Sequence, residues 1–197
     1  MGRIQVSGGK PLVGETAIQG AKNAALPLMA AAVLHKGTTV LHNCPDIADV
    51  SCMRLLLEDL GCQTEFRNHT MYIDASVIRK TEPDAELTAR MRGSVLLMGS
   101  LLGRMGEVIL PFPGGCVIGK RPVNYHLDVM RALGAEVICQ DNRMILKRKK
   151  LKGTQIPMGF PSVGATENGI LAATLADGIT ELKSAAREPE IGELCRF

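Results

Sequence analysis

Apolar positions recur along this chain in one repeated order: a helix-length apolar run, a glycine, then a short apolar strand. The three copies are Leu28 to Leu41, Leu97 to Leu110 and Leu171 to Leu182, with Gly37, Gly106 and Gly178 at the junctions. The glycines are 69 and 72 residues apart, a period that marks a repeated supersecondary unit. Each glycine is expected to cap its helix with a positive φ before the chain turns into the strand. The first two strands lead to second helices over 49–60 and 125–133, apolar at helical spacing and closed by Gly61 and Gly134. Paired strands then follow over 63–66 with 71–74, and over 136–139 with 144–147. Their linking residues, Arg67-Asn68-His69-Thr70 and Gln140-Asp141-Asn142-Arg143, suit hairpin turns.

The unit is therefore β-α-β-α-β-β, counting an introductory strand before each first helix. The spacing divides the chain into units of about 21–80, 87–150 and 160–197. From Gly37 to Gly61 is 24 residues and from Gly106 to Gly134 is 28, so the matching glycine of the third unit falls at 202–206, past Phe197. The third unit is expected to lack its second helix and both hairpin strands, either because the chain is truncated or because another polypeptide completes it.

Composition narrows the class. The chain has 197 residues, 46% of them apolar and 22% charged, which excludes a disordered chain and supports a substantial core. The longest apolar run, Ala24 to Leu34, has eleven residues and contains Pro27. A membrane span needs about 20, so no membrane association is expected, and no leader is expected after Met1. The six cysteines show no CxxC spacing and no clustering with the four histidines. Neither a zinc site nor a disulfide framework is expected, and a reducing, cytoplasmic compartment fits. A net charge of +3 gives no reason to invoke nucleic acid. The run Lys147 to Lys152 sits at a strand end, where a solvated basic edge is the ordinary outcome.

The candidate chemistry sits at matching places in the repeat. Fourteen residues before each junction glycine stand Asn23, Arg92 and Gly164, with Lys22 beside the first. Helix starts offer free N–H groups and a positive dipole end. Lys22 and Arg92 add charge, and Ser162-Val163-Gly164-Ala165-Thr166 adds hydroxyls and open backbone. Convergence of the three starts would make a pocket for a phosphorylated ligand; the alternative is that Lys22 and Arg92 are ordinary solvated charges. The loop Pro113 to Pro122 places Cys116 between glycine and the cations Lys120 and Arg121, which favours thiolate. The alternative for any one cysteine is a small buried hydrophobe. Gly114 to Lys120 also mimics a phosphate-binding P-loop, but Arg121 stands where that motif needs Ser or Thr.

These motifs resemble the enolpyruvyl transferase family, in its UDP-N-acetylglucosamine 1-carboxyvinyltransferase branch. The matching segments are Lys22-Asn23-Ala24-Ala25-Leu26-Pro27, the Cys116 loop, Ser162 to Thr166 and Ala185 to Glu190. The resemblance implies an α/β (α+β) fold, an inside-out barrel of pseudo-threefold β-α-β-α-β-β units, here with the third incomplete. It implies that residues 1–20 join a second domain absent from this chain, and that 21–197 form an incomplete transferase domain.

It also implies transfer of enolpyruvate from phosphoenolpyruvate to the 3′-hydroxyl of UDP-N-acetylglucosamine, with phosphate released and no cofactor. This is the first committed step of peptidoglycan synthesis, tied to cell shape and division. Cys116 would be the general acid, Lys22 and Asn23 would hold phosphoenolpyruvate, and Arg92, Arg121, Pro122, Val123, Asn124, Tyr125, Ser162, Val163 and Gly164 would hold the UDP-sugar. Three departures stand out: Asn124-Tyr125 replaces the family's usual Asp-Leu, Phe160-Pro161 replaces a basic position, and the second domain with its catalytic carboxylate is missing. Residues 192–197 also drift from the family pattern, as after a frameshift or early stop. Turnover by this chain alone is therefore expected to be negligible. The competing expectation is a non-catalytic remnant or UDP-sugar-binding module that needs a partner chain.

Overall fold

The computed structural model describes residues 3–112 and 123–197. In the first unit, helix α1 (Lys22–Ala32) leads to strand β1 (Thr38–Leu41), helix α2 (Ala48–Leu60) and the hairpin of β2 (Gln63–Arg67) and β3 (Thr70–Asp74). In the second, helix α3 (Ala85–Arg90) precedes a 3₁₀ turn (Arg92–Leu96) that runs into α4 (Leu97–Met105). Strand β4 (Glu107–Pro111), helix α5 (Asn124–Ala132) and the hairpin of β5 (Glu136–Gln140) and β6 (Arg143–Lys147) complete that unit. The third contains β7 (Gln155–Pro157), α6 (Val163–Ala173), β8 (Glu181–Lys183) and α7 (Pro189–Arg196).

The first two units close in the same way. Their three-stranded antiparallel sheets have the orders β1-β3-β2 and β4-β6-β5, with Thr38 opposite Asp74 and Glu107 opposite Lys147. Both hairpins turn through paired left-handed residues, Asn68 and His69 (φ 47° and 55°) and Asp141 and Asn142 (φ 49° and 58°). This is the two-residue turn whose twist matches the strands. One sheet face is buried, through Met71 and Ile73 in one unit and Met144 and Leu146 in the other.

The first helices of the units lie inside. Along α4 every residue from Leu97 to Gly103 is buried, and α1 and α6 are buried over most of their length. Such helices need small residues to approach one another. A Cβ on Gly99 would come within 2.5 Å of the Asn168 carbonyl, so α4 meets α6 there only because position 99 is glycine. Buried polar atoms are spent on the joints. Ser100 Oγ donates to the Ala30 carbonyl at 2.6 Å. The Arg104 guanidinium donates to the carbonyls of Val33 at 2.7 Å and His35 at 3.1 Å, which end α1. Arg148 does the same for α4, reaching the carbonyls of Leu102 and Gly103. Three of the five cations in the basic run thereby find partners: Arg148 caps a helix, Lys147 pairs with Glu107, and Lys150 pairs with Asp177.

Three sequence expectations change. Gly106 and Gly178 have positive φ (83° and 86°), but Gly37 does not. α1 instead ends at Val33 and unwinds through three tight turns, with the Val33, Leu34 and His35 amides bonding to Ala30, Ala31 and Ala32. The third unit does begin a second helix. Pro189 suits the first turn of α7, and Ile191 and Leu194 bury one face of it. Among the described residues an introductory strand forms only before α6, where β7 pairs in parallel with β8, Gln155 opposite Glu181. Residues 3–19 form no strand and leave Ile4, Val6, Leu12, Val13 and Ile18 exposed. No helix among the described residues is long and apolar enough to cross a membrane.

Candidate functional site

The three first-helix starts meet at one cavity of about 930 Å³. α1 brings Lys22 and Asn23, the turn before α4 brings Arg92 and Gly93, and α6 brings Val163 and Gly164. The opening turns leave backbone N–H groups outside the helices' own bonds. Two local features mark the starts of α6 and α1. Ser162 caps α6, its hydroxyl accepting from the Ala165 amide. Pro27, inside α1, gives up the bond that would otherwise engage the Asn23 carbonyl.

The lining carries both signs of charge. The cations Lys22, Arg90 and Arg92 with the His126 imidazole make up its basic wall, and the carboxyl groups of the lining are Asp49, Glu167, Glu188 and Glu190. Lys22 Nζ donates to Asp49 Oδ2 at 2.9 Å, an exposed pair held across α1 and α2. Burial, with a smaller contribution from Arg92, pushes the His126 pKa down to about 4, so the ring is neutral at pH 7. Burial pushes Glu167 up to about 8, helped by the nearby charges of Glu190 and Glu188. At the rim Tyr125 stacks on Phe160, ring centroids 5.9 Å apart and 26° between planes. Among the described residues no group of three His, Cys, Asp or Glu side chains is arranged to hold a metal ion.

Cations at repeated helix starts suit anionic ligands. The family description EPSP synthase (3-phosphoshikimate 1-carboxyvinyltransferase) matches residues 6–197. The chain belongs to the EPSP synthase family. A UDP-N-acetylglucosamine 1-carboxyvinyltransferase 2 of Caldanaerobacter subterraneus subsp. tengcongensis is 44% identical over the whole chain, which spans 47% of that relative. A UDP-N-acetylglucosamine 1-carboxyvinyltransferase of Desulforapulum autotrophicum is 46% identical over 98% of the chain, 46% of the relative. The chain thus spans about half the length of these curated relatives. In fold it is similar to the enolpyruvyl transferase NikO from Streptomyces tendae, with a TM-score of 0.84 at 24% identity, over 96% of this chain and 45% of that one.

Within this member of the EPSP synthase family, seven of the residues singled out in the sequence come together. Lys22, Asn23, Arg92, Tyr125, Ser162, Val163 and Gly164 all line the cavity. Val123 is buried beneath α5 and Asn124 is exposed at its start; neither lines it. Cys116, Arg121 and Pro122 lie outside the described residues, as does the rest of the 113–122 loop. Of the other thiols, Cys44 and Cys52 are pushed up by burial and Cys62 to about 11, so none of these three is a ready thiolate. Cys139 and Cys195 are exposed.

Sequence reasoning missed Asp49, Arg90, His126, Glu167, Glu188 and Glu190 as cavity residues. Two of them had a signal. His126 follows Tyr125 directly, and Glu167 is the one charged residue in α6.

Proposed function

We propose that this chain carries the N-terminal half of a UDP-N-acetylglucosamine 1-carboxyvinyltransferase, a cytoplasmic enzyme of peptidoglycan synthesis. It moves enolpyruvate from phosphoenolpyruvate to the 3′-hydroxyl of UDP-N-acetylglucosamine and releases phosphate. The observation that carries this reading is the convergence of three helix starts, with Lys22 and Arg92, on one cavity. The names of the relatives at 44% and 46% identity supply the substrates.

Both substrates are anions, and the basic wall offers full charges and open amides for them. Lys22, Asn23 and the start of α1 hold phosphoenolpyruvate. Arg92, Tyr125 and the Ser162-Val163-Gly164 turn hold the UDP-sugar, joined by Val123 and Asn124 and by Arg121 and Pro122 from the preceding loop. Cys116 in that loop gives its proton to the methylene carbon of phosphoenolpyruvate, which leaves positive charge at the carbon bearing the phosphate. The sugar hydroxyl adds there and loses its proton to a carboxylate supplied by the second domain. Loss of phosphate and of a proton from the new methyl group then restores the double bond and gives the enol ether of the sugar. Residues 3–19, with five exposed apolar side chains, join that second domain. By itself the chain binds the UDP-sugar and turns it over negligibly, because the base and the covering wall are missing.

The test is phosphate release by the complete protein. It is expected to require both phosphoenolpyruvate and UDP-N-acetylglucosamine and to fall to background in Cys116→Ala. Release that proceeds without the UDP-sugar, or that accepts shikimate 3-phosphate in its place, would refute the assignment.

A further inference from the structure

Asn168 sits in the middle of α6, fully buried, and bonds to three other elements. Its Oδ1 accepts from the Gly99 amide of α4 at 2.7 Å. Its Nδ2 donates to the Val95 carbonyl in the 3₁₀ turn at 3.0 Å and lies 2.9 Å from His126 Nδ1 on α5. The two backbone partners fix which way the amide points. A peptide N–H can only donate and a carbonyl can only accept, so the oxygen faces Gly99 and the nitrogen faces Val95. The nitrogen therefore presents a hydrogen to His126, and Nδ1 must accept it. In a neutral ring the remaining proton then resides on Nε2. A protonated ring would set two N–H groups against each other, which agrees with the low pKa that burial and Arg92 impose.

Nε2 is the atom turned away from this joint. A Cβ on Gly164 would lie 2.9 Å from His126 Cε1 and 3.4 Å from Nε2, so the ring edge lies against the start of α6. Among the described residues, the one fully buried side-chain nitrogen or oxygen without a partner is Thr180 Oγ1. Nε2 has no partner there and is not sealed in; it opens on the cavity that His126 lines with Arg92.

We infer that Asn168 is a positioning residue: it touches no ligand, yet it locks His126 as the Nε2–H tautomer, so that the basic wall offers an anionic oxygen a hydrogen and not a lone pair. The second half of that statement rests on the proposed anion-binding function; the first half does not. Gly99 belongs to the same device, since its amide orients Asn168 and its missing side chain lets Asn168 approach. An aspartate at 168 would still accept from Gly99, but it could only accept from His126 as well, drawing the ring proton to Nδ1.

Nitrogen NMR of the imidazole in the ligand-free protein tests the lock, and binding of uridine diphosphate tests its consequence, both in mildly alkaline buffer. In the wild type Nδ1 is expected to be bare and Nε2 protonated, and Asn168→Asp is expected to reverse them. Asn168→Asp is also expected to weaken uridine diphosphate binding roughly tenfold or more, the loss of one hydrogen bond to a charged group. In a His126→Phe background the change at 168 should then have little further effect. A protonated Nδ1 in the wild type would overturn the inference, and so would an equal weakening by Asn168→Asp in the His126→Phe background. The wild-type spectrum decides the tautomer even if no variant folds. Failure of the wild type to bind uridine diphosphate would strike the anion-site reading and leave the lock standing or falling on the spectrum.

Discussion

The cations and the carboxyl groups that line the cavity differ in origin as well as in charge. Lys22 and Arg92 sit at equivalent places in a repeat: Lys22 and Asn23 open α1, Arg92 opens the turn into α4, and Gly164 opens α6. The carboxyl groups have no such symmetry. Glu167 is one turn inside α6, and Glu188 and Glu190 flank the start of α7. The repeat places charge where helix dipoles already favour an anion, so each added cation acts with the backbone. Among the carboxyl groups, burial, helped by the charges of Glu190 and Glu188, keeps Glu167 protonated.

The sharpest way to break this contrast is Glu167→Gln. The folded pKa of about 8 lies above the ordinary value of 4.5, so between these the unfolded chain has lost a proton that the folded chain keeps. Stability therefore falls as pH rises across that window and levels off above it. His126 acts with the opposite sign: its folded pKa of about 4 lies below 6.5, so stability rises with pH between them. The two offset each other from about 4.5 to 6.5, and Glu167 alone governs the range above. Glu167→Gln is expected to be the more stable protein at pH 8, on the order of a few kcal/mol, and to lose the decline. Denaturant unfolding at pH 6 and pH 8 measures this; an unchanged decline in the variant would show that Glu167 is ionised.

The basic wall is sharpened by Arg92→Ala, expected to weaken UDP-N-acetylglucosamine binding by about 2 kcal/mol, the scale of one charge-assisted hydrogen bond. Calorimetric titration reads it, and an unaltered affinity would remove Arg92 from the site. The smallest effect belongs to the rim. Truncating Tyr125 and Phe160 singly and together should reveal a coupling of about 1 kcal/mol in unfolding experiments, the worth of a stacked pair. Strict additivity would mean that the rings are neighbours without mutual stabilisation.

The same contrast explains what could be read in advance. Helices, hairpins and turn residues follow from local chemistry, which is why Asn68-His69 and Asp141-Asn142 were legible as turns and Gly61 and Gly134 as caps. The shared position of Asn23, Arg92 and Gly164 pointed to convergence because equivalent places in a pseudo-symmetric fold face the same centre. Gly37 misled because the Arg104 guanidinium, 71 residues along the chain from the Val33 carbonyl it binds, ends α1 before any glycine is needed. α7 was hidden because its apolar face is only Ile191 and Leu194, too short a pattern to stand out. His126 and Asn168 are 42 residues apart and meet only through tertiary packing. The protonation of Glu167 likewise follows from its surroundings, which no local pattern encodes.

The central claim is that three helix starts from different parts of the chain form one anion site. Backbone amide NMR of residues 1–197 during titration with UDP-N-acetylglucosamine tests it most directly. The account predicts shifts that grow together at Asn23, Arg92, Gly93, Val163 and Gly164, with a single midpoint. Shifts confined to one of the three starts, or centred away from the cavity, would contradict it.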